Sequence, residues 1–203
     1  MVKHGLLLLL TSSLLGGMAW SGPALGKSNG VNPVQVVCTV RAAKTHLVLG
    51  ESPTAEVEIR NTGSQAILLV GNLDGSSSRR RYPHAYFEVE GPPGGVEAHG
   101  AVGCGGPFNP LREKDFVLLE PGSSFDPHAN GNGSDFFHDT SLGWIKLSKP
   151  GGYRIVFHYS TDQRDPGAWN SKGSAVDTEL VETLRSVPPV TISCSTDITV
   201  DLP

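Results

Sequence analysis

The sequence of 203 residues has few cysteines and no excess of basic charge. Its three cysteines form no Cys-x-x-Cys pair, so the spacing typical of zinc clusters is missing. Sixteen basic residues stand against 20 acidic ones. The resulting net charge of -4 argues against a nucleic-acid partner, because phosphate binding needs a concentrated basic surface. Beyond residue 26 no apolar run is long enough to cross a bilayer, so no membrane insertion is expected.

The first 26 residues have the pattern of a signal peptide. Lys3 gives a charged start, Leu6–Leu15 is an apolar run, and Ala24-Leu25-Gly26 supplies small residues at the expected cleavage point. We therefore predict cleavage after Gly26 and a secreted or periplasmic protein. Residues 27–203 are predicted to form a single domain.

Short segments with alternating or wholly apolar residues dominate the rest of the chain. Each is bounded by Gly, Pro, Asn or Ser, which is typical of β-strands. The predicted strands are 34–40, 46–50, 55–61, 66–71, 85–91, 115–122, 144–148, 153–160, 190–194 and 198–202. Val57 and Ile59 are expected to point inward in one of these strands, and Tyr153 and Phe157 to share one face of another.

One segment after the signal peptide has helical spacing of its apolar residues. It runs over 176–187 and is followed by Pro188-Pro189, which ends a helix. Many short strands and almost no helix predict an all-β protein, an immunoglobulin-like antiparallel β-sandwich with one short helix in a late loop.

Export into an oxidising compartment permits the cysteines to pair. Cys38 lies in the first predicted strand and Cys194 in the second to last. Because the first and last strands of a sandwich are often neighbours, Cys38–Cys194 is the preferred disulfide. Cys104 is then a free thiol, or else it is the true partner of Cys38, since pairing does not follow from sequence.

Three segments together resemble a recurring secreted immunoglobulin-like module. They are LGESPTAEVEIRNTG, FVLLEPGSSF and LSKPGGYRIVFHY, with a Leu-x-Pro-Gly turn and a Pro-Gly-x-Tyr entry into a late strand. A similar β-domain precedes the catalytic domain in some deuterolysin-like metallopeptidases. The resemblance implies the fold but no proteolysis, because the zinc motif His-Glu-x-x-His is absent from the sequence.

The stretch Asp126–Asp139, DPHANGNGSDFFHD, is rich in potential metal ligands. Its first half imitates an EF-hand loop, but Phe137 occupies the twelfth position, where a Glu is required, so we reject an EF-hand. Two looser sites stay open, both weaker than the interpretation as a polar loop. The calcium candidates are Asp126, Asp135 and Asp139, and the zinc candidates are His128, Asp135 and His138.

Catalytic signatures are scarce in the sequence. No Gly-x-Ser-x-Gly elbow occurs, and Cys104 beside a histidine such as His99 is better explained as a disulfide half or an inert thiol. Glu88, Glu90 and Glu97 are better explained as a solvated strand face than as a glycosidase pair. We therefore expect no enzyme and no cofactor.

Several loops are candidate contact surfaces for a partner. Arg79-Arg80-Arg81-Tyr82 is the one basic cluster, although a solvated loop explains it better than a docking site does. Trp169, in a polar loop, is a better candidate than Trp144 for an exposed aromatic contact. The candidate binding loops are Gly71–Tyr82, Pro92–Pro110, Asp126–Asp139 and Asp162–Ser174.

The sequence thus favours an exported, non-catalytic binding domain whose partner is another protein. Three alternatives stay open: a peptidase inhibitor of the same fold, a hydrolase with a site built from loops, with or without a metal ion, and a structural component of an envelope. The sequence does not predict the oligomeric state.

Overall fold

Four small sheets, nearly all antiparallel, build the protein in the computed structural model. The model describes residues 35–71, 85–98, 113–127, 142, 145–162 and 178–203. The strands are β1 (Val36–Ala42), β2 (His46–Val48), β3 (Ala55–Asn61), β4 (Ile67–Val70), β5 (Ala85–Glu90), β6 (Val96–Ala98), β7 (Phe116–Leu119), β8 (Ser124–Phe125), β9 (Ile145–Leu147), β10 (Gly151–Ser160) and β11 (Thr191–Asp201). A 3-10 helix, Glu113–Asp115, precedes β7, and the helix α1 (Thr178–Ser186) precedes β11.

The largest sheet has the strand order β2-β11-β10-β5, and a second has the order β1-β3-β8. Strands β4 and β7 form one two-stranded sheet, and β6 and β9 form another. Within the described residues β2 and β11 are the one parallel pair, with His46 opposite Thr199. These sheets, with α1 as the one α-helix among the described residues, confirm the predicted all-β sandwich with a short helix in a late connection.

The core forms because apolar residues alternate along the strands. In β10 the side chains of Tyr153, Ile155, Phe157 and Tyr159 all point inward and are at most 3% exposed. The Phe157 ring packs against that of Phe87 with centroids 5.1 Å apart. Burying such side chains stabilises a fold by about 1.5–3 kcal/mol each. The predicted inward set of β10 is therefore confirmed.

Strand β3 shows the same alternation on the other side of the core. Val57 and Ile59 are buried as predicted, whereas Arg60 faces solvent. A smaller apolar cluster lies at the end of helix α1, where Leu184 and Val187, the residue after the helix, pack against Val70 of β4. The helix thus covers the outside of the β4–β7 pair.

Strand β11 differs from the prediction. Residues 190–194 and 198–202 were expected to be separate strands, but one continuous strand runs from Thr191 to Asp201. The polar residues between the two apolar runs suggested a break. They remain in the strand because each pairs in register with β10, for example Ser195 with Val156 and Asp197 with Arg154.

The disulfide Cys38–Cys194 joins β1 to β11 and confirms the preferred pairing. Its two Cα atoms lie 5.7 Å apart, within the usual range, and its half-cystines are 156 residues apart in sequence. Both pack against the main core. The disulfide therefore ties the start of the fold to its end. Cys104 lies outside the described residues.

The buried amide of Asn61 fixes the turn that follows β7. Its Nδ2 donates hydrogen bonds to the carbonyl oxygens of Gln65 (2.7 Å) and Leu119 (2.9 Å), and its Oδ1 accepts one from the Gly63 N–H (2.9 Å). Its backbone carbonyl accepts a bond from the N–H of Gly122, a glycine with φ of 76°. Residues other than glycine rarely adopt that backbone conformation, which explains the glycine in the Leu-x-Pro-Gly turn.

The Pro-Gly-x-Tyr motif has a structural role of the same kind. The Tyr153 hydroxyl donates to the Lys149 carbonyl oxygen, 2.7 Å away and four residues earlier, and lies 3.1 Å from the Gly95 carbonyl oxygen. Immunoglobulin-like sandwiches contain a comparable tyrosine corner. A Cβ on Gly95 would lie 2.6 Å from this hydroxyl, so glycine is required there.

Candidate binding surface on the outer face of the four-stranded sheet

The outer face of the sheet β2-β11-β10-β5 consists of the side chains that alternate with the core residues. Strand register arranges them in rows across β5, β10 and β11. One row contains Tyr86, His158 and Ser193, and we call it the central row. The neighbouring row on one side contains Glu88, Val156 and Ser195, and that on the other contains Ser160 and Thr191.

His158 lies in the middle of the central row and is held on two sides. Its ring stacks on that of Tyr86, with centroids 4.7 Å apart and planes inclined by 19°. Its Nε2 is 3.2 Å from Oε2 of Glu88, the diagonal neighbour on the edge strand. The His158 side chain is 29% exposed and that of Glu88 49%. The ring orientation is thus fixed while both groups remain accessible to a partner.

A depression of about 220 Å³ lies beside the central row. Its rim combines rings with hydroxyl groups. The lining residues are Tyr86, His158, Tyr159, Ser160, Thr191, Ile192 and Ser193. The Oγ of Ser160 lies 3.1 Å from the Oγ1 of Thr191 and accepts a hydrogen bond from the Asp162 N–H (3.2 Å). The depression, as defined by these seven residues, contains no lysine or arginine.

Arg154, the arginine that the structure describes on this face, is engaged elsewhere. Arg154 lies two rows away from the central row, and its Nε donates to Oδ1 of Asp197 at 2.9 Å. This hydrogen bond raises the pKa of Arg154, and the charge of Asp197 adds to the effect. Arg154 and Asp197 therefore neutralise each other, and among the described residues the Glu88 carboxylate is the charged group in contact with His158.

The strand ends beside the depression are tied to one another. The Tyr159 hydroxyl donates to the Val70 carbonyl oxygen at 2.8 Å, and the Gly71 N–H donates to the Asp115 carbonyl oxygen at 2.8 Å. The Thr161 N–H bonds the Val190 carbonyl oxygen at 2.8 Å. These contacts bring together the points where three of the four predicted binding loops join the described strands.

The pKa shifts near these strand ends and at the far edge of the sheet have structural causes. Burial raises the pKa of the Tyr159 phenol well above its ordinary value, against the opposing effect of its bond to Val70. On the exposed turn after β2, the hydrogen bond from Lys44 lowers the pKa of Glu51, and the Val48 N–H adds to this effect.

Of the predicted metal ligands, Asp126 lies within the described residues. It lines a second depression, of about 240 Å³, on the outer face of the sheet β1-β3-β8. The polar residues around it are Thr39, Arg41, Glu56, Glu58, Ser124 and Asp126. Within the part of the chain that the structure describes, no three His, Cys, Asp or Glu side chains form a group able to hold a metal ion.

The other predicted site residues lie outside the described residues. They are Arg79, Arg80, Arg81, Tyr82, His128, Asp135, His138, Asp139 and Trp169. Glu88, Glu90 and Glu97 are exposed on strands, as the solvated-face interpretation predicted. No helix among the described residues is long and apolar enough to span a membrane.

The sequence prediction missed the cluster of Tyr86, Glu88 and His158. Alternation did place all three on the polar faces of their strands. The residues of the two strands are, however, about 70 positions apart, and only the register of β5 against β10 brings them together. No local signal in the sequence encodes that register.

Comparisons with known proteins give no family for this chain. No family model matches the sequence, and no curated protein matches it. Among solved structures, a β-glucosidase from Erythrobacter marinus aligns with a TM-score of 0.28 and 16% identity. The alignment covers 83% of this chain and 16% of that enzyme, so this chain spans a small part of the enzyme's length.

Proposed function

We propose that this protein is an exported, non-catalytic domain that binds another protein through the outer face of the sheet β2-β11-β10-β5. The observation that carries the proposal is the central row. There Tyr86 and His158 form a fixed but accessible aromatic pair, next to a depression and to the Glu88 carboxylate. Tyrosine is enriched at protein interfaces, because its ring gives contact area and its hydroxyl gives hydrogen bonds.

Two observations support a secreted or periplasmic location within this proposal. The Cys38–Cys194 disulfide requires an oxidising compartment to persist. The N-terminal segment up to Gly26 has the composition of a signal peptide.

A relation to the secreted immunoglobulin-like module is also part of the proposal. It is supported by the geometry of two of its motifs, the positive-φ Gly122 in the Leu-x-Pro-Gly turn and the Tyr153 corner in Pro-Gly-x-Tyr. Both motifs are structural, so the relation carries the fold and no activity.

Site-specific cross-linking in the producing organism tests the binding proposal. A photo-reactive p-benzoylphenylalanine replaces Ser193 in the central row, and in the control it replaces Glu56 on the outer face of β3. Illumination is expected to give a discrete protein adduct from position 193 and none of that mass from position 56. No adduct from position 193, or the same adduct from both positions, contradicts the proposal.

A further inference from the structure

We infer that the depression beside His158 receives an arginine side chain of the partner protein. This inference rests on the proposed protein-binding function and specifies its chemistry. It follows from the charge around the depression, from the ring pair on its rim and from its size.

The charge around the depression selects a cation. The Glu88 carboxylate lies 3.2 Å from His158 and is half exposed, and Asp162 follows the rim residue Ser160 and bonds its hydroxyl through the backbone. No lysine or arginine belongs to the lining, and Arg154 is already paired with Asp197. A partner carboxylate or phosphate would meet repulsion here, whereas a cation completes the charge pattern.

The ring pair and the hydroxyls select a guanidinium over an ammonium. A guanidinium is planar, stacks on aromatic rings and carries five N–H donors with no acceptor. Tyr86 and His158 offer stacked rings, while the hydroxyls of Ser160, Thr191 and Ser193 are able to accept hydrogen bonds. An arginine can therefore stack on the rings while its N–H groups bond the rim.

The size of the depression fits one side chain. Pockets for drug-sized ligands measure about 300–1,000 Å³, and this depression measures about 220 Å³. It is open to solvent beside His158, whose side chain is 29% exposed. A single arginine bound there in isolation is weakly held, and the remainder of the partner surface supplies the rest of the affinity.

The test is an NMR titration of the ¹⁵N-labelled mature protein with N-acetyl-arginine amide. The matched control ligand is N-acetyl-citrulline amide, which has the same shape without the charge. The expected result is a saturable shift of the amides of Tyr86, His158, Thr191 and Ser193 with the arginine probe, with a clearly smaller response to citrulline.

Two variants of the edge strand β5 make the test specific. Glu88→Gln is expected to weaken arginine binding by about three- to fivefold, as for an exposed charge pair. Glu90→Gln removes a carboxylate from the same strand, opposite Arg154 and two rows from the central row, and is expected to leave binding unchanged within about twofold. Retained amide dispersion verifies that each variant is folded.

Four results overturn the inference. The first three are equal binding of citrulline, shifts located away from the central row, and equal binding by Glu88→Gln and the wild type. A fourth is a response of these amides to a neutral disaccharide but not to arginine, which indicates a glycan site instead. If the cross-link from position 193 still captures a protein, the arginine inference alone fails. If that cross-link is absent, the proposed function itself fails.

Discussion

The two faces of strand β10 differ in how their polar side chains are satisfied. On the inner face the hydroxyls of Tyr153 and Tyr159 are buried, and each donates to a backbone carbonyl that the fold holds in place. On the outer face Arg154 and His158 pair with exposed side chains, Asp197 and Glu88. An unsatisfied polar group costs much inside and little outside. The polar groups of the inner face therefore stabilise the fold, whereas those of the outer face can exchange their contacts for contacts with a partner protein at little cost in stability.

Removing the disulfide, which lies on the inner face of β11, is expected to have the largest effect on the free energy of unfolding. The double variant Cys38→Ser, Cys194→Ser is expected to lose about 2–5 kcal/mol of unfolding free energy, because the disulfide closes a loop of 156 residues. Denaturant unfolding measures the loss.

Cys104→Ser is the control for the disulfide prediction. Because Cys38 and Cys194 are joined, the remaining cysteine has no partner within the chain. Its variant is expected to unfold at the same denaturant concentration as the wild type. Mass analysis is expected to find one reactive thiol before reduction and three after it. Thiol labelling of Cys38 and Cys194 before reduction would contradict the pairing.

The next largest effect is expected at Asn61, the buried amide at the end of β3. Asn61→Ala leaves the carbonyl oxygens of Gln65 and Leu119 without their donor, at a cost of about 2 kcal/mol. The adjacent Thr62→Val removes an exposed hydroxyl that donates to the Gln35 carbonyl oxygen at 3.3 Å, and is expected to cost less than about 0.5 kcal/mol. Similar losses in both variants would refute the role assigned to Asn61.

A smaller effect is expected for Tyr159→Phe, which removes the bond to the Val70 carbonyl oxygen and costs about 1 kcal/mol. The phenol also makes stability depend on pH. Because burial raises its pKa in the folded state, its contribution is complete below the ordinary pKa of about 10 and is lost as pH rises above that value. Thermal unfolding between about pH 8 and 11 is expected to show a shallower decline in the variant than in the wild type. Equal slopes in Tyr159→Phe and the wild type would contradict the raised pKa of the Tyr159 phenol.

The smallest effect on stability is expected on the exposed surface, at Glu51. Its pKa is lowered in the folded state by the bond from Lys44, so its contribution is present above the ordinary pKa of 4.5 and is lost as pH falls through the folded value. Glu51→Gln is expected to flatten the acid end of the melting-temperature profile slightly. Glu56→Gln on β3 controls for the loss of one carboxylate. An unchanged profile in Glu51→Gln would show that the exposed pair contributes nothing measurable.

The sequence predicted the features that depend on local pattern. Alternation identified the inward residues of β3 and β10, the Pro188-Pro189 stop placed the helix, and the first-to-last argument found the disulfide. The prediction failed for contacts that depend on the register of strands far apart in the sequence. Asn61 was predicted only as the last residue of the strand 55–61, but the Leu119 carbonyl that its side chain bonds lies 58 residues away.

The candidate binding surface was hidden for the same reason. Glu88 was correctly predicted to be exposed, yet its neighbour His158 lies 70 residues further along the chain. The pairing of β5 with β10 depends on the whole sheet, including the ladder between β10 and β11. A single sequence indicates which face a residue takes, and it does not indicate which residues of other strands lie beside it.

Two substitutions at adjacent positions of β10, where the side chains point in opposite directions, test most directly whether stability and partner binding lie on opposite faces of the strand. Phe157→Leu, at a side chain with no exposure, is expected to cost about 1–2 kcal/mol. It is expected to retain capture of the cross-linked partner at temperatures where the variant is folded. His158→Ala is expected to change stability by less than about 0.5 kcal/mol and to abolish that capture. Undiminished capture by folded His158→Ala would contradict the account.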